Sequence, residues 1–170
     1  MAKKTQRIFA MFAAALFLLG SVSFTGVVIW QVYQNNQLEK ELTVQEDKGL
    51  KGKQLEGFEP VASVPKLQTV DLQEGTGKVA EKTSTVTVNY TGAIASTGKI
   101  FESSLDGGQP ATFGLDQVIK GWGEGIPGMK VGGKRRLIIP AELAYGAQSP
   151  SADIPANSAL VFDVELITVQ

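Results

Sequence analysis

Two segments of the chain alternate strictly between apolar and polar residues. Val86, Val88 and Tyr90 fall on one face of an extended backbone, with Thr85, Thr87, Asn89 and Thr91 on the other. Leu160, Phe162, Val164 and Leu166 repeat the pattern, with Asp163 and Glu165 opposite. Successive side chains of a strand point to opposite faces, so both segments read as half-buried strands. Weaker strand patterns cover Gln68–Gln73, Ile100–Ser103, Ala111–Phe113 and Arg135–Ile139, with turn signals at Gly98-Lys99 and Gly107-Gly108. Only Gln117–Gly125 reads as a helix, and it is short and glycine-rich. The pattern predicts an α+β domain over residues 66–170, a mostly antiparallel sheet with one short helix packed on it.

The N-terminal pattern is of another kind. Lys3, Lys4 and Arg7 precede an uncharged run from Ile8 to Tyr33, 26 residues long. As a helix it measures roughly 39 Å, enough for a bilayer core. Trp30 and Tyr33 stand where an interfacial aromatic belt belongs. Residues 1–33 therefore read as a basic segment and a single transmembrane signal-anchor. The basic residues before the span, against Glu39, Glu41, Glu46 and Asp47 after it, place the N-terminus in the cytoplasm and the rest outside. The alternative is a secretory signal cleaved after Ser21-Val22-Ser23, but cleavage there leaves an apolar new terminus beginning at Phe24. Either reading exports residues 34–170. Residues 34–65 carry ten charges in 32 positions and then Gly49, Gly52, Gly57, Pro60 and Pro65. They predict a short charged helix and then a flexible linker.

Composition narrows the chemistry. The 170 residues include no cysteine and no histidine, and the net charge is -1. Disulfides, thiolate metal sites, Cys nucleophiles, Ser-His-Asp triads and His-ligated metals are excluded. There is no concentrated positive charge to recruit nucleic acid. Gly123-Glu-Gly125-Ile-Pro-Gly128 matches a dinucleotide-binding pattern, but no strand precedes it and Pro127 interrupts it, so no cofactor and no metal are expected. Lys134-Arg135-Arg136 reads as a solvated strand start rather than a partner patch.

Six aromatic residues occupy the domain: Tyr90, Phe101, Phe113, Trp122, Tyr145 and Phe162. They lie on different elements, which fits the plain core of a small sheet domain. Trp122 fits that account less well, because Gly121 and Gly123 leave its surroundings open and an indole suits the floor of a pocket.

An ordered set of seven motifs spans essentially all of 66–170. It comprises Val88-Asn-Tyr-Thr-Gly92, Gly98-Lys-Ile-Phe-Glu-Ser-Ser104, Val118-Ile-Lys-Gly-Trp122, Gly128-Met-Lys-Val-Gly132, Ala144-Tyr-Gly-Ala147, Ile154-Pro155 and Leu160-Val-Phe-Asp-Val-Glu-Leu166. In these it resembles the FKBP-type peptidyl-prolyl cis-trans isomerases. The resemblance implies a curved antiparallel sheet wrapped around one short helix. It implies Trp122 as the pocket floor, with Tyr90, Phe101 and Phe162 as aromatic walls. Val118, Ile119 and Ile154 would contact the ligand, the Ile119 N–H would donate to a substrate carbonyl, and so would the Tyr145 hydroxyl. Phe113 falls at a core position behind the pocket. Implied partners are proline-containing polypeptides and macrolide inhibitors, bound by a monomeric domain.

The chain departs from the family pattern at three places. Glu102 stands where the family has Asp, Gly107 where well-studied members carry the Arg that pairs with it, and Ala111 where a further wall aromatic is usual. A pocket wider on one side and less tightly braced is expected. Rotation about X–Pro faces a barrier of about 18–20 kcal/mol set by amide resonance, and no proton need move. An apolar pocket favours the twisted, less polar amide over the planar, hydrated one. Glu102 is accordingly read as polarising or structural, not as a general base. The competing reading is a tethered proline-binding or chaperone module with little turnover.

Overall fold

The computed structural model describes residues 49–170. Six strands form one antiparallel sheet: β1 (Gln68–Gln73), β2 (Thr85–Ile94), β3 (Ile100–Ser103), β4 (Ala111–Gly114), β5 (Lys134–Ile139) and β6 (Leu160–Val169). The spatial order is β1-β5-β6-β2-β3. β4 shares an edge of β2 with β3, pairing with Thr85–Val88 while β3 pairs with Thr91–Ala93. Register shifts interrupt β1 at Asp71/Gln73 and β2 at Thr87/Val88 and Gly92/Ala93. Bulges of this kind bend and twist a strand, which lets the sheet curve.

The single α-helix, α1 (Lys120–Gly125), is shorter than the nine-residue pattern predicted. Its start is set by Ile119, whose extended backbone (ψ 146°) cannot continue a helix. The helix lies very close to β5. A Cβ on Gly121 would come within 2.4 Å of the Ile139 side chain. Glycine inside a helix costs roughly 1 kcal/mol against alanine, and here it permits an approach that no larger residue allows.

The concave face and α1 enclose the main core. Val86, Val88, Ile126, Leu137, Ile139, Leu160 and Leu166 are wholly buried there, as the alternation in β2 and β6 requires.

The other face is not uniformly wet, and this departs from the expected linker. Residues 50–61 form a strap against β3 and the turn that precedes it. The strap is held by Gly52 N–H to the Ile100 carbonyl, Ile100 N–H to Lys53, Leu55 N–H to Gly98 and Val61 N–H to Ala95. Leu55 is buried with Ala93, Ile100 and Val161 in a second apolar cluster, with Leu50, Phe58 and Ile138 packed on it. The strap therefore packs with the sheet in one compact unit.

Of the basic run on β5, Lys134 is solvated as expected, but Arg135 and Arg136 are not. The Arg136 guanidinium donates to both carboxylate oxygens of Asp163 at 2.6 and 2.8 Å, and to the carbonyls of Glu56 and Gly57. It also lies 5.5 Å over the Phe58 ring. Arg135 donates to both oxygens of Asp71, at 2.6 and 3.2 Å. These planar forks meet carboxylates two bonds at a time, the geometry for which arginine is suited. The proposed span at 8–33 and the charged helix expected after it lie outside the described residues. Among the described residues no helix is long and apolar enough to cross a membrane.

Candidate active site

Five aromatic rings converge from five elements. Tyr90 comes from β2, Phe101 from β3, Phe113 from β4, Trp122 from α1 and Phe162 from β6. Trp122 is the hub, with ring centroids of Tyr90, Phe113 and Phe162 at 5.5, 5.5 and 5.4 Å and interplanar angles of 81°, 90° and 88°. Phe101 stands edge-on to Phe162 at 5.8 Å. Near-perpendicular edge contacts set the positive rim of one ring against the negative face of the next, which fixes orientation as well as distance.

Gly92 makes part of this cage possible. A Cβ there would meet the Phe162 ring at 2.6 Å and the Phe101 ring at 2.7 Å. The two phenyl groups therefore occupy the space that any other side chain on β2 would fill.

The cage is graded in burial. Trp122, Phe162 and Phe101 are buried, at 4%, 4% and 7% exposure, while Tyr90 and Phe113 are only half-buried. Val118 and Ile119 are half-buried against the same cluster and Ile154 is buried in it. Tyr145 is exposed just beyond the 3-10 turn Ala141–Leu143. A buried floor beneath half-exposed apolar walls is the form of a site, not of a sealed core.

The polar groups fit that form. Trp122 Nε1 is the one buried side-chain polar atom without a hydrogen-bond partner among the described residues. Leaving a buried donor unpaired costs roughly 1–3 kcal/mol, so the indole is a poor choice for packing alone. Ile119 is the α1 N-cap, and its carbonyl accepts from the Trp122 N–H at 2.9 Å. Glu102 is exposed on β3, and its carboxylate acts on both tyrosines. Burial first, and then a hydrogen bond to and the charge of Glu102, push the Tyr90 hydroxyl well above the ordinary phenol range. Burial and the Glu102 charge push Tyr145 up as well. Both hydroxyls therefore stay protonated at neutral pH and can donate hydrogen bonds.

The structure thus gathers Tyr90, Phe101, Ile119, Val118, Trp122, Phe162 and Ile154 around one centre, with Glu102 close to the tyrosines. Phe113, assigned from the sequence to the core behind, is instead a half-exposed ring directly against Trp122. The β2–β4 register, which sets Phe113 opposite Val86, puts it on the inner face, and no local sequence signal gives that register. No group of three or more metal-ligating side chains clusters among the described residues. A cleft of about 550 Å³ exists elsewhere, between the strap and β1, floored by the outward-facing Asn89, Lys134, Asp163 and Glu165. Tyr90 is among its lining residues, but Trp122, Phe113 and Phe162 are not.

Comparison with known proteins agrees with this geometry. The family model described as FKBP-type peptidyl-prolyl cis-trans isomerase matches residues 77–167. An FK506-binding protein of Neisseria meningitidis serogroup A / serotype 4A is 54% identical over 101 residues, which is 58% of this chain and 92% of that protein. The FKBP-type peptidyl-prolyl cis-trans isomerase FkpA of Escherichia coli (strain K12) is 48% identical over 99 residues, 58% of this chain but 36% of FkpA. The crystal structure of AtFKBP13 superposes with a TM-score of 0.55 at 40% identity, covering 61% of this chain and 93% of that one. With its aromatic cage on a curved antiparallel sheet and a matching family segment that takes in most of the sheet, the chain belongs to the FKBP-type peptidyl-prolyl cis-trans isomerases and rotates X–Pro bonds.

Proposed function

We propose that the aromatic cage is where the X–Pro bond turns, with Trp122 as floor, Tyr90, Phe101, Phe113 and Phe162 as walls, and Val118, Ile119 and Ile154 as further apolar contacts. The observation that carries this reading is the convergence of five rings from five elements, three of them packed directly on the Trp122 indole, under a half-exposed rim. The imide enters an apolar space that solvates its planar, conjugated form poorly and its twisted form less badly. The Ile119 N–H and the protonated Tyr145 hydroxyl hold the flanking carbonyls. Each ~1.4 kcal/mol gained selectively in the twisted state speeds rotation tenfold. Glu102 moves no proton; it accepts a hydrogen bond from the Tyr90 hydroxyl, and its charge adds to burial in holding the protons of both tyrosines. By analogy with relatives named for FK506, a macrolide competes with the peptide here.

The test is a set of three variants assayed on a proline tetrapeptide. Trp122→Ala loses an aromatic contact worth roughly 1–3 kcal/mol, so kcat/KM falls about 5- to 150-fold, and Trp122→Phe falls less. Tyr145→Phe loses one hydrogen bond, on the order of 1 kcal/mol, and falls about fivefold. Full activity of folded Trp122→Ala returns the indole to the plain core.

We further propose that residues 8–33 anchor the chain, so that the isomerase domain acts on exported or membrane-proximal clients. The support is the uncharged 26-residue run behind three basic residues. The full chain is expected to resist carbonate extraction from membranes. A soluble mature chain lacking residues 1–23 would establish signal cleavage instead.

A further inference from the structure

Two contacts tie the strap to two separate loops that flank the proline site. At its N-terminal end, Leu50 N–H donates to Asp106 Oδ1 at 2.7 Å and Lys51 N–H to Asp106 Oδ2 at 3.1 Å. Asp106 lies in the β3–β4 loop, which continues directly from Phe101 and Glu102. From the same stretch of strap, Lys51 Nζ meets Asp153 Oδ2 at 2.7 Å. Asp153 immediately precedes Ile154, the buried apolar contact of the site. The Lys51 ammonium also senses the charge of Glu102, so this ion pair stands near the carboxylate that acts on Tyr90 and Tyr145.

The strap is itself fixed to the sheet, by the Gly52 N–H to Ile100 carbonyl bond at 2.7 Å and the return bond from Ile100 N–H to Lys53 at 2.8 Å. These bonds hold the strap on β3 from Gly52 onward, and its Leu50–Lys51 end is held by Asp106. Among the described residues no hydrogen bond or ion pair joins the β3–β4 loop to the loop carrying Asp153 directly. Lys51 is the shared link.

We propose that the strap braces the mouth of the proline site, with Lys51 and Asp106 as positioning residues that set the spacing between the Phe101–Glu102 wall and the Ile154 wall. This rests on the aromatic cage being the isomerisation site. Neither residue touches the substrate. The brace works in series: β3–β4 loop, Asp106, strap backbone, Lys51, Asp153, Ile154. Cutting either end releases the same spacing, so the two cuts cannot add. Two independent surface contacts would add instead.

The experiment uses the full-length chain with Lys51→Met, Asp106→Ala and the double variant, assayed on a proline tetrapeptide, each with its melting temperature. Each single variant is expected to raise KM about two- to fivefold, the range of exposed charge contacts, with kcat and melting temperature close to those of the parent. The double variant is expected to match the larger single effect, and Lys51→Arg to restore the parent KM. A double variant whose KM change is the product of the singles overturns the brace, and so do singles that leave KM unmoved. Should the parent chain show no isomerase activity, the reading of the cage fails separately. Amide hydrogen exchange then decides the brace. Faster exchange across both 104–110 and 149–156 in either single variant supports it, and faster exchange only in the loop that lost its own contact overturns it.

Discussion

At the scale of single residues, the site depends on one side chain that is large and one that is missing. Trp122 is legible as a pocket floor because it sits between glycines in a domain with only six aromatics. Gly92 is legible only as part of a motif. Its reason is steric, and the atoms that impose it come from β3 and β6, far away in sequence. Gly92→Ala places a methyl group 2.6–2.7 Å from two rings that are already wedged edge to face. Overpacking of this kind costs typically about 1–3 kcal/mol, and the strain falls on Phe101 and Phe162. The expected outcome is a lowered melting temperature together with a kcat/KM loss beyond what the lost stability explains. An alanine variant with parental stability and activity would mean that the rings move freely, which contradicts their role as walls.

At the scale of elements, the strands were readable and the strap was not. Alternation marks a strand wherever one face meets the core and the other meets water. In β2 it holds from Thr85 to Tyr90 and then fails, since Thr91 to Ile94 are all buried. The strap covers the outer face at that end, and a segment buried on both sides has no alternation to read. Conversely, residues 49–65 look like a tether because glycine and proline break every regular period. Their backbone order comes instead from bonds to Gly98, Ile100 and Ala95, and from Arg136 reaching the carbonyls of Glu56 and Gly57. If the strap is an integral part of the fold, Leu55→Ala opens a void in the second cluster and costs about 2–4 kcal/mol in denaturant titration. Amides of Leu55 and Val61 should exchange slowly, and proteases should spare 50–61. Rapid cleavage there in the folded protein would restore the flexible linker.

At the scale of the whole molecule, the chain's net charge is close to zero and its titration near neutrality is quiet, because it has no histidine. The pH dependence to look for is alkaline. Tyr90 and Tyr145 both hold their protons above the ordinary phenol range, through burial first and Glu102 second. The unfolded chain releases these protons near pH ~10, while the folded chain keeps them. Stability from this source is therefore complete below about pH 9 and declines as pH rises past about 10. Melting temperature against pH should show that decline, and it should be shallower in Tyr145→Phe and in Glu102→Gln. A tyrosine absorbance titration placing Tyr90 and Tyr145 at the ordinary value in the folded protein would rule it out. Isomerisation should be flat across the neutral range, since the proposed chemistry transfers no proton.

Local pattern and composition were enough for the class of fold, the positions of all six strands, the absence of His and Cys chemistry, and the motifs that carry the family resemblance. Alternation, turn residues and short runs have a meaning that does not depend on what they touch. Why Gly121 lies within the helix and how Phe113 comes to stand against Trp122 were settled by contacts with β5 and β2. The pairing of Arg135 and Arg136 with Asp71 and Asp163 belongs to the same class. Along the chain these are charges many residues apart, and only the sheet register brings each guanidinium opposite its carboxylate. The domain's true beginning was also a tertiary matter. Leu55 and Phe58 are too few and too irregularly spaced to form any pattern, and they become core only because the outer face of β2, β3, β5 and β6 offers an apolar surface to cover.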